Sequence, residues 1–163
     1  MESSWRGDEG DRDETTPSGL LWREASARPN LDVVITDLPT GVRALHVVGG
    51  DGFRCILISA ALSPVEKVAA LAHELAHDDC HGGCHHPGLP DRLRAVVARD
   101  EARVDRVAAD RILPLTGLAS WVDRQVDNDR AVTAAEAAEE LEVAPWVAEL
   151  QLRRLEARSR RTA

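Results

Sequence analysis

Apolar residues follow two different spacings along this chain. Short apolar runs occupy residues 32–36, 42–48 and 53–59, with a glycine-rich turn at residues 49–52 between the last two. Runs of this length between turn residues predict strands, here a small antiparallel sheet of about three strands. In most of the remaining chain apolar residues recur every three or four positions, which predicts helices, the first of them short and at residues 19–27.

The segment after the third run carries strong helix signals. Ser63 can cap the helix, Pro64 suits its first position, and Glu66 can reach back to the Ser63 amide. Gly82-Gly83 ends any helix that starts there. Helical spacing continues at Val65, Val68, Ala72 and Leu75. We therefore expect a helix of roughly four turns.

Residues 93–113 have helical periodicity as well, and further helices follow Pro114. Thr133 begins a second capping box, which opens a helix to about Glu142, and Pro145 starts a last helix. In the helix at residues 93–113 the apolar residues form one stripe, which contains Leu93, Val97, Val104, Ala108 and Ile112. The pattern predicts a mostly helical α+β protein whose small sheet precedes the helices.

Composition divides the chain further. Residues 1–18 are charged and poor in apolar side chains, which predicts a disordered acidic tail. We expect one main domain at residues 19–125 and a C-terminal helical pair with a basic tail at residues 126–163. The net charge is −8, no apolar run approaches the length of a membrane span, and the N-terminus does not resemble a signal peptide. These features predict a cytoplasmic protein without a membrane segment.

His73-Glu74-Leu75-Ala76-His77 is the segment with the clearest chemistry. It reads H-E-x-x-H, and residues four apart lie one above the other on a helix. His73 and His77 can therefore bind one zinc ion, while Glu74, about 100° further round, can polarise a metal-bound water. A catalytic zinc needs a third protein ligand and one open position.

Glu101 is the predicted third ligand. It lies with Asp105 inside the apolar stripe of the helix at residues 93–113, and a carboxylate facing a core is costly unless it is paired or binds metal. Asp105, one turn later, could orient a ligating histidine. In the competing interpretation both acids pair with nearby arginines such as Arg103 and Arg106.

The chain has three cysteines, Cys55, Cys80 and Cys84. An odd number does not suggest the disulfide framework of a secreted protein, which agrees with a cytoplasmic location. Residues 80–86, CHGGCHH, could bind a second metal. The alternative is a flexible loop at the mouth of the first site, since closed zinc sites normally use two separated ligand pairs.

H-E-x-x-H followed on a later helix by E-x-x-x-D is the gluzincin pattern of the thermolysin-like peptidases. Residues 101–109, EARVDRVAA, running to Ile112-Leu113-Pro114, resemble the ImmA/IrrE family of zinc metallopeptidases. The resemblance covers about residues 31–114 and implies a zincin-like fold. It also implies zinc binding by the two histidines and Glu101, Glu74 as the base, and Asp105 as a support for the ligands. Val104 and Val107 replace the family's usual alanine and phenylalanine.

Two further features of the site follow from this resemblance. Zincins generally offer a strand near the site to an extended substrate, so a peptide is expected to pair with Cys55, Ile56, Leu57, Ile58 and Ser59. The alternative is a purely structural hairpin. The chain has no tyrosine to stabilise a developing oxyanion. Zinc alone, an arginine, or one of four histidines could take that role, namely His46, His81, His85 and His86.

The family resemblance implies a metalloendopeptidase that acts on a regulatory protein, often a helix-turn-helix repressor of a phage or mobile element. One alternative is a non-catalytic, zinc-stabilised antirepressor or protein-binding module. Another is a DNA-binding regulator, because the C-terminal helices resemble a helix-turn-helix and residues 153–161 carry five arginines. The acidic net charge argues against nucleic acid as the partner.

Overall fold

The computed structural model describes residues 16–80 and 91–162. Within these ranges the chain forms six helices and one three-stranded sheet, so the predicted α+β class is confirmed. The elements are α1 (Pro17–Ala27), β1 (Leu31–Thr36), β2 (Ala44–Val48), β3 (Arg54–Ser59), α2 (Pro64–Cys80), α3 (Asp91–Ile112), α4 (Leu115–Asp127), α5 (Ala134–Glu140) and α6 (Pro145–Thr162).

Two compact units make up the chain, residues 1–85 and residues 86–163. The first contains α1, the sheet and α2, and the second contains α3 to α6. The boundary predicted at residue 125 falls within α4 of the second unit. Residues 1–15 of the tail predicted at residues 1–18 lie outside the described residues. Thr16 instead caps α1 by accepting a hydrogen bond from the Gly19 amide at 3.1 Å, and the helix begins at Pro17.

The sheet has the order β1-β3-β2, with β3 in the centre. β2 pairs with β3 in antiparallel register, as predicted, but β1 pairs with β3 in parallel register. The sheet is therefore mixed, and the prediction of an antiparallel sheet was wrong for β1 alone. The local turn at residues 49–52 can reveal a hairpin from sequence. In contrast, β1 and β3 are separated in the sequence by β2, and no local pattern encodes their pairing.

One face of this sheet carries the core of the first unit. Ile56 and Ile58 of the central strand are completely buried, as are Leu71 and Leu75 of α2, which packs on β2 and β3. α1 packs on β1 and on α2. The alternation of buried and half-buried residues along β3 thus fixes which side of the sheet receives the helices.

In the second unit α6 packs against α3, α4 and α5. Its buried residues Val147 and Ala148 belong to the same core as Trp121 and Leu118 of α4 and Ala137 of α5. The basic segment at residues 153–161 was predicted as a tail, yet it belongs to α6, which continues to Thr162. No helix in the described part of the chain has the length and apolar character needed to cross a membrane.

Candidate metal site on helix α2

Helix α2 begins where the capping box predicts. Both the Ser63 amide and its hydroxyl donate to Glu66 Oε2, at 3.0 and 2.8 Å, and the Lys67 amide donates to the Ser63 carbonyl. The Ser63 groups lower the pKa of the Glu66 carboxyl, the backbone hydrogen bond most of all. The start of the helix is therefore fixed in register, and the positions of the downstream histidines follow from it.

The buried face of α2 sets which way the H-E-x-x-H residues point. Leu71, Ala72, Leu75 and Ala76 are completely or almost completely buried. The histidines and Glu74 lie beside this face and are half-buried. Half-burial suits a metal site, because the surroundings exclude much of the water while one side stays accessible.

His73 and His77 face each other at a separation that fits a shared metal ion. Their Nε2 atoms are 3.1 Å apart, and their rings meet edge to face with centroids 4.8 Å apart. Two imidazole nitrogens bound to one tetrahedral zinc lie about 3.3 Å apart, given zinc–nitrogen distances near 2.0–2.1 Å. The described geometry of this pair therefore fits zinc.

Glu101 and Asp105, the other predicted site residues, lie on α3 in the second unit. Both side chains are half-buried. Three residues of the predicted stripe, Val104, Ala108 and Ile112, are 2%, 0% and 5% exposed, so the C-terminal part of the predicted apolar face of α3 is buried. Participation of Glu101 and Asp105 in the site of the histidine pair stays a prediction from the sequence.

His46 lies against an acid of α2. Its Nε2 is 3.4 Å from Asp78 Oδ1, and its side chain is 10% exposed. Burial lowers the pKa of His46, although the negative charge of Asp78 opposes this effect. The other candidate accessory residues, His81, His85 and His86, lie outside the described residues, as does Cys84 of the predicted second metal site. Cys80 and Cys55 are half-buried free thiols.

Strand β3 cannot take an extra strand. All of Cys55, Ile56, Leu57, Ile58 and Ser59 pair with β1 on one side and all but Ser59 pair with β2 on the other. The prediction that this segment pairs with a substrate peptide was therefore wrong, because its backbone donors and acceptors are already used within the sheet. The edges are β1 and β2.

A charged cluster around Asp78 was not anticipated. Arg54 Nη1 donates to both oxygens of Asp78 at 2.7 Å, and Arg28 Nη1 donates to Oδ2 at 2.7 Å. Burial alone lowers the pKa of Arg28, but hydrogen bonds to Asp79, Glu24 and Asp78 outweigh it and raise that pKa. Arg28 follows α1, Arg54 lies on β3 and Asp78 lies on α2, so no sequence spacing could reveal this cluster.

Comparison with known proteins gives a likeness in fold. No protein-family model matches the chain, and no curated protein matches its sequence. A Mycobacterium tuberculosis transcriptional regulator has a similar structure, with a TM-score of 0.60 and 16% sequence identity over 83% of this chain. The match covers 40% of the regulator, so this chain spans about two fifths of its length. At this identity the likeness shows the fold alone, and the resemblance to the ImmA/IrrE family rests on the residues quoted above.

Proposed function

We propose that this protein acts in transcription regulation as a zinc-dependent peptidase whose substrate is a regulatory protein. The observation that carries the proposal is the 3.1 Å separation of the His73 and His77 Nε2 atoms on one face of α2. Nitrogen donors at this spacing, with a glutamate next in sequence to the first of them, form the donor set of zinc hydrolases. Glu101 is the proposed third ligand, with Asp105 supporting the ligands.

The roles of the chain's own residues follow from their chemistry. Zinc, when bound, supplies a water of lowered pKa and a positive charge for the developing oxyanion. Glu74 would act as the general base and then as the general acid, holding the proton that passes from the attacking water to the leaving amine. The chain contains no tyrosine, so neighbouring histidines or arginines are the remaining donors for the oxyanion.

A substrate that adds to the sheet would use an edge strand. β1 and β2 are the edges, and β2 carries His46 next to Asp78 at the end of α2. Leu45 and Val47 of β2 are 43% and 46% exposed, so their side chains can contact an added peptide. Substrate pairing along β2 therefore replaces the earlier prediction of pairing along β3.

The first prediction tests the metal and the base together. Glu74→Gln should keep zinc and the fold but abolish cleavage, because the amide preserves the shape of the side chain and cannot accept a proton at neutral pH. His73→Ala/His77→Ala should lose both zinc and cleavage. The measurements are metal content of the purified variants and intact masses of candidate repressors after co-expression.

His46→Ala is a control for the metal content alone, because it removes an imidazole of the same unit that is outside the proposed ligand set but could still donate to the oxyanion. Stoichiometric zinc in the double histidine variant would contradict the metal assignment. Equal cleavage by the wild type and Glu74→Gln would show that the proteolysis has another source. If neither protein cuts and both relieve repression equally, the function is that of a non-catalytic antirepressor.

A second candidate function is that of a regulator without catalysis, and the structural likeness to a transcriptional regulator favours it. In this case α5 and α6, joined by the four residues 141–144, would contact DNA or a protein partner. Arg153 and Arg160 on α6 are 72% and 81% exposed and could reach phosphates. Titration of duplex DNA with arginine variants of α6 tests this candidate.

A further inference from the structure

Asp78 occupies an unfavourable position for a carboxylate. It lies in the last turn of α2, where the helix carbonyls already concentrate negative charge, and its side chain is only 4% exposed. Burying an unpaired carboxylate costs several kcal/mol. The position therefore needs compensation from positive groups.

Two arginines provide that compensation from different elements. Arg28 is the residue that follows α1, and Arg54 is the first residue of the central strand. Their Nη1 atoms lie 2.7 Å from Asp78 oxygens, and Arg54 Nη2 also donates to the Pro29 carbonyl at 2.7 Å. The Arg54 amide in turn donates to the Asn30 carbonyl. Asp78 is thus tied to the α1–β1 connection and to the sheet.

These contacts fall where α2 would otherwise be weakest. The described part of the helix ends at Cys80, and terminal turns fray because their last carbonyls have no partners within the helix. His77 is one residue before Asp78, so fraying of this turn would move its imidazole away from His73. Arg28 and Arg54 hold the last turn of α2 in place through the two carboxylate oxygens of Asp78.

We propose that Arg28 and Arg54, acting through Asp78, are positioning residues that keep His77 in the geometry needed to share a metal ion with His73. This inference rests on the proposed zinc site.

The test compares two adjacent aspartates at the end of α2. Asp78→Asn removes the buried charge, and Asp79→Asn makes the same change at a side chain that is 40% exposed and contacts Arg28 at 2.8 Å. Asp78→Asn should weaken zinc affinity by about 10-fold or more, as loss of groups that orient a ligand does. Asp79→Asn should change it by at most about 2- to 5-fold, the effect of a charge near a helix end.

Two further measurements separate positioning from general stability. The visible absorption of the cobalt-substituted proteins at saturation should differ from wild type in Asp78→Asn and match it in Asp79→Asn, because this spectrum reports ligand geometry. Amide hydrogen exchange without metal should be faster in the last turn of α2 of Asp78→Asn. If that variant does not fold, Arg54→Lys replaces it, since lysine keeps the charge but cannot also hold the Pro29 carbonyl.

Each remaining outcome overturns the inference. Wild-type affinity and spectrum in folded Asp78→Asn would show that the cluster does not position His77. Equal losses in both aspartate variants would show that only charge matters at this helix end. A wild-type protein that binds no zinc would overturn the proposed function as well, and this result distinguishes the two failures.

Discussion

At the scale of single residues, two buried glutamines of the second unit differ in how their amides are satisfied. Gln151 on α6 is completely buried, and its Nε2 donates to the Leu113 carbonyl at 2.5 Å and to Asp110 at 3.0 Å. Gln125 on α4 is 5% exposed, and its Oε1 has no hydrogen-bond partner among the described residues. Burial of a polar group is stabilising only where partners are present.

We therefore expect Gln151→Leu to be clearly destabilising. The change leaves the Leu113 carbonyl at the end of α3 without its donor, which should lower the free energy of unfolding by about 1–3 kcal/mol. Gln125→Leu is the comparison, because it removes an unsatisfied oxygen together with one hydrogen bond to the exposed carboxylate of Glu140, which keeps Trp121 and Arg130 as donors. It should therefore cost less. Urea denaturation of the two variants measures the difference, and a larger loss in Gln125→Leu would contradict this account.

At the scale of elements, one carboxylate joins α4 to α5. Glu140 at the end of α5 accepts hydrogen bonds from Trp121 Nε1 at 2.9 Å and Gln125 Nε2 at 3.1 Å, both on α4. Arg130, in the loop between the two helices, donates to its other oxygen at 2.6 Å. The hydrogen bond from Trp121 lowers the pKa of Glu140 most, followed by that from Arg130.

This lowered pKa predicts a dependence of stability on pH. The folded state binds the Glu140 proton more weakly than the unfolded state, so the contribution is fully present above the ordinary pKa of 4.5. It is lost as the pH falls through the lowered pKa of the folded state. Glu140→Gln should therefore destabilise the protein at neutral pH and flatten the loss of stability on acidification.

The measurement is urea unfolding at a series of values from about pH 7 to about pH 3. Glu139→Gln is the control, because it makes the same charge change at the preceding exposed position of α5. An identical acid dependence in wild type and Glu140→Gln would mean that this carboxylate does not link the helices energetically.

At the scale of the whole molecule, charge weighs against nucleic acid as the partner. The chain carries 20 basic and 28 acidic side chains. Three of the five arginines of α6 form ion pairs: Arg153 with Glu149, Arg160 with Glu156, and Arg154 with Asp110. Duplex DNA would have to compete with these pairs and overcome a net negative charge.

We expect duplex DNA to bind weakly. The variant Arg153→Gln/Arg160→Gln should reduce DNA affinity no more than the control Arg23→Gln/Arg124→Gln, which removes two arginines elsewhere on the surface. Titration of labelled duplex at about 50 to about 200 mM salt measures this. The slope of log affinity against log salt concentration could instead fall in magnitude by about two units in the α6 variant alone. That result would establish DNA contact and favour the second candidate function.

Local sequence determined where the helices α2 and α5 begin and how His73 and His77 are placed on α2. Ser63 and Glu66 mark the start of α2, Thr133 and Glu136 mark that of α5, and each pair is joined by a hydrogen bond between a side chain and a backbone amide. Once α2 is a helix, the spacing of His73 and His77 brings their imidazoles together, since both lie on one face. Such features depend only on interactions between residues a few positions apart, so they can be predicted without the fold.

Tertiary structure alone decided the order of the strands and the surroundings of α2. Strand β1 lies beside β3 in parallel, which makes the predicted substrate strand the centre of the sheet and leaves β2 as an edge. Asp78 meets Arg28 and Arg54 across separations of 50 and 24 residues. Long-range pairings of this kind arise from packing of the whole unit and carry no periodic signal in the sequence, so only the folded chain reveals what supports the histidine pair.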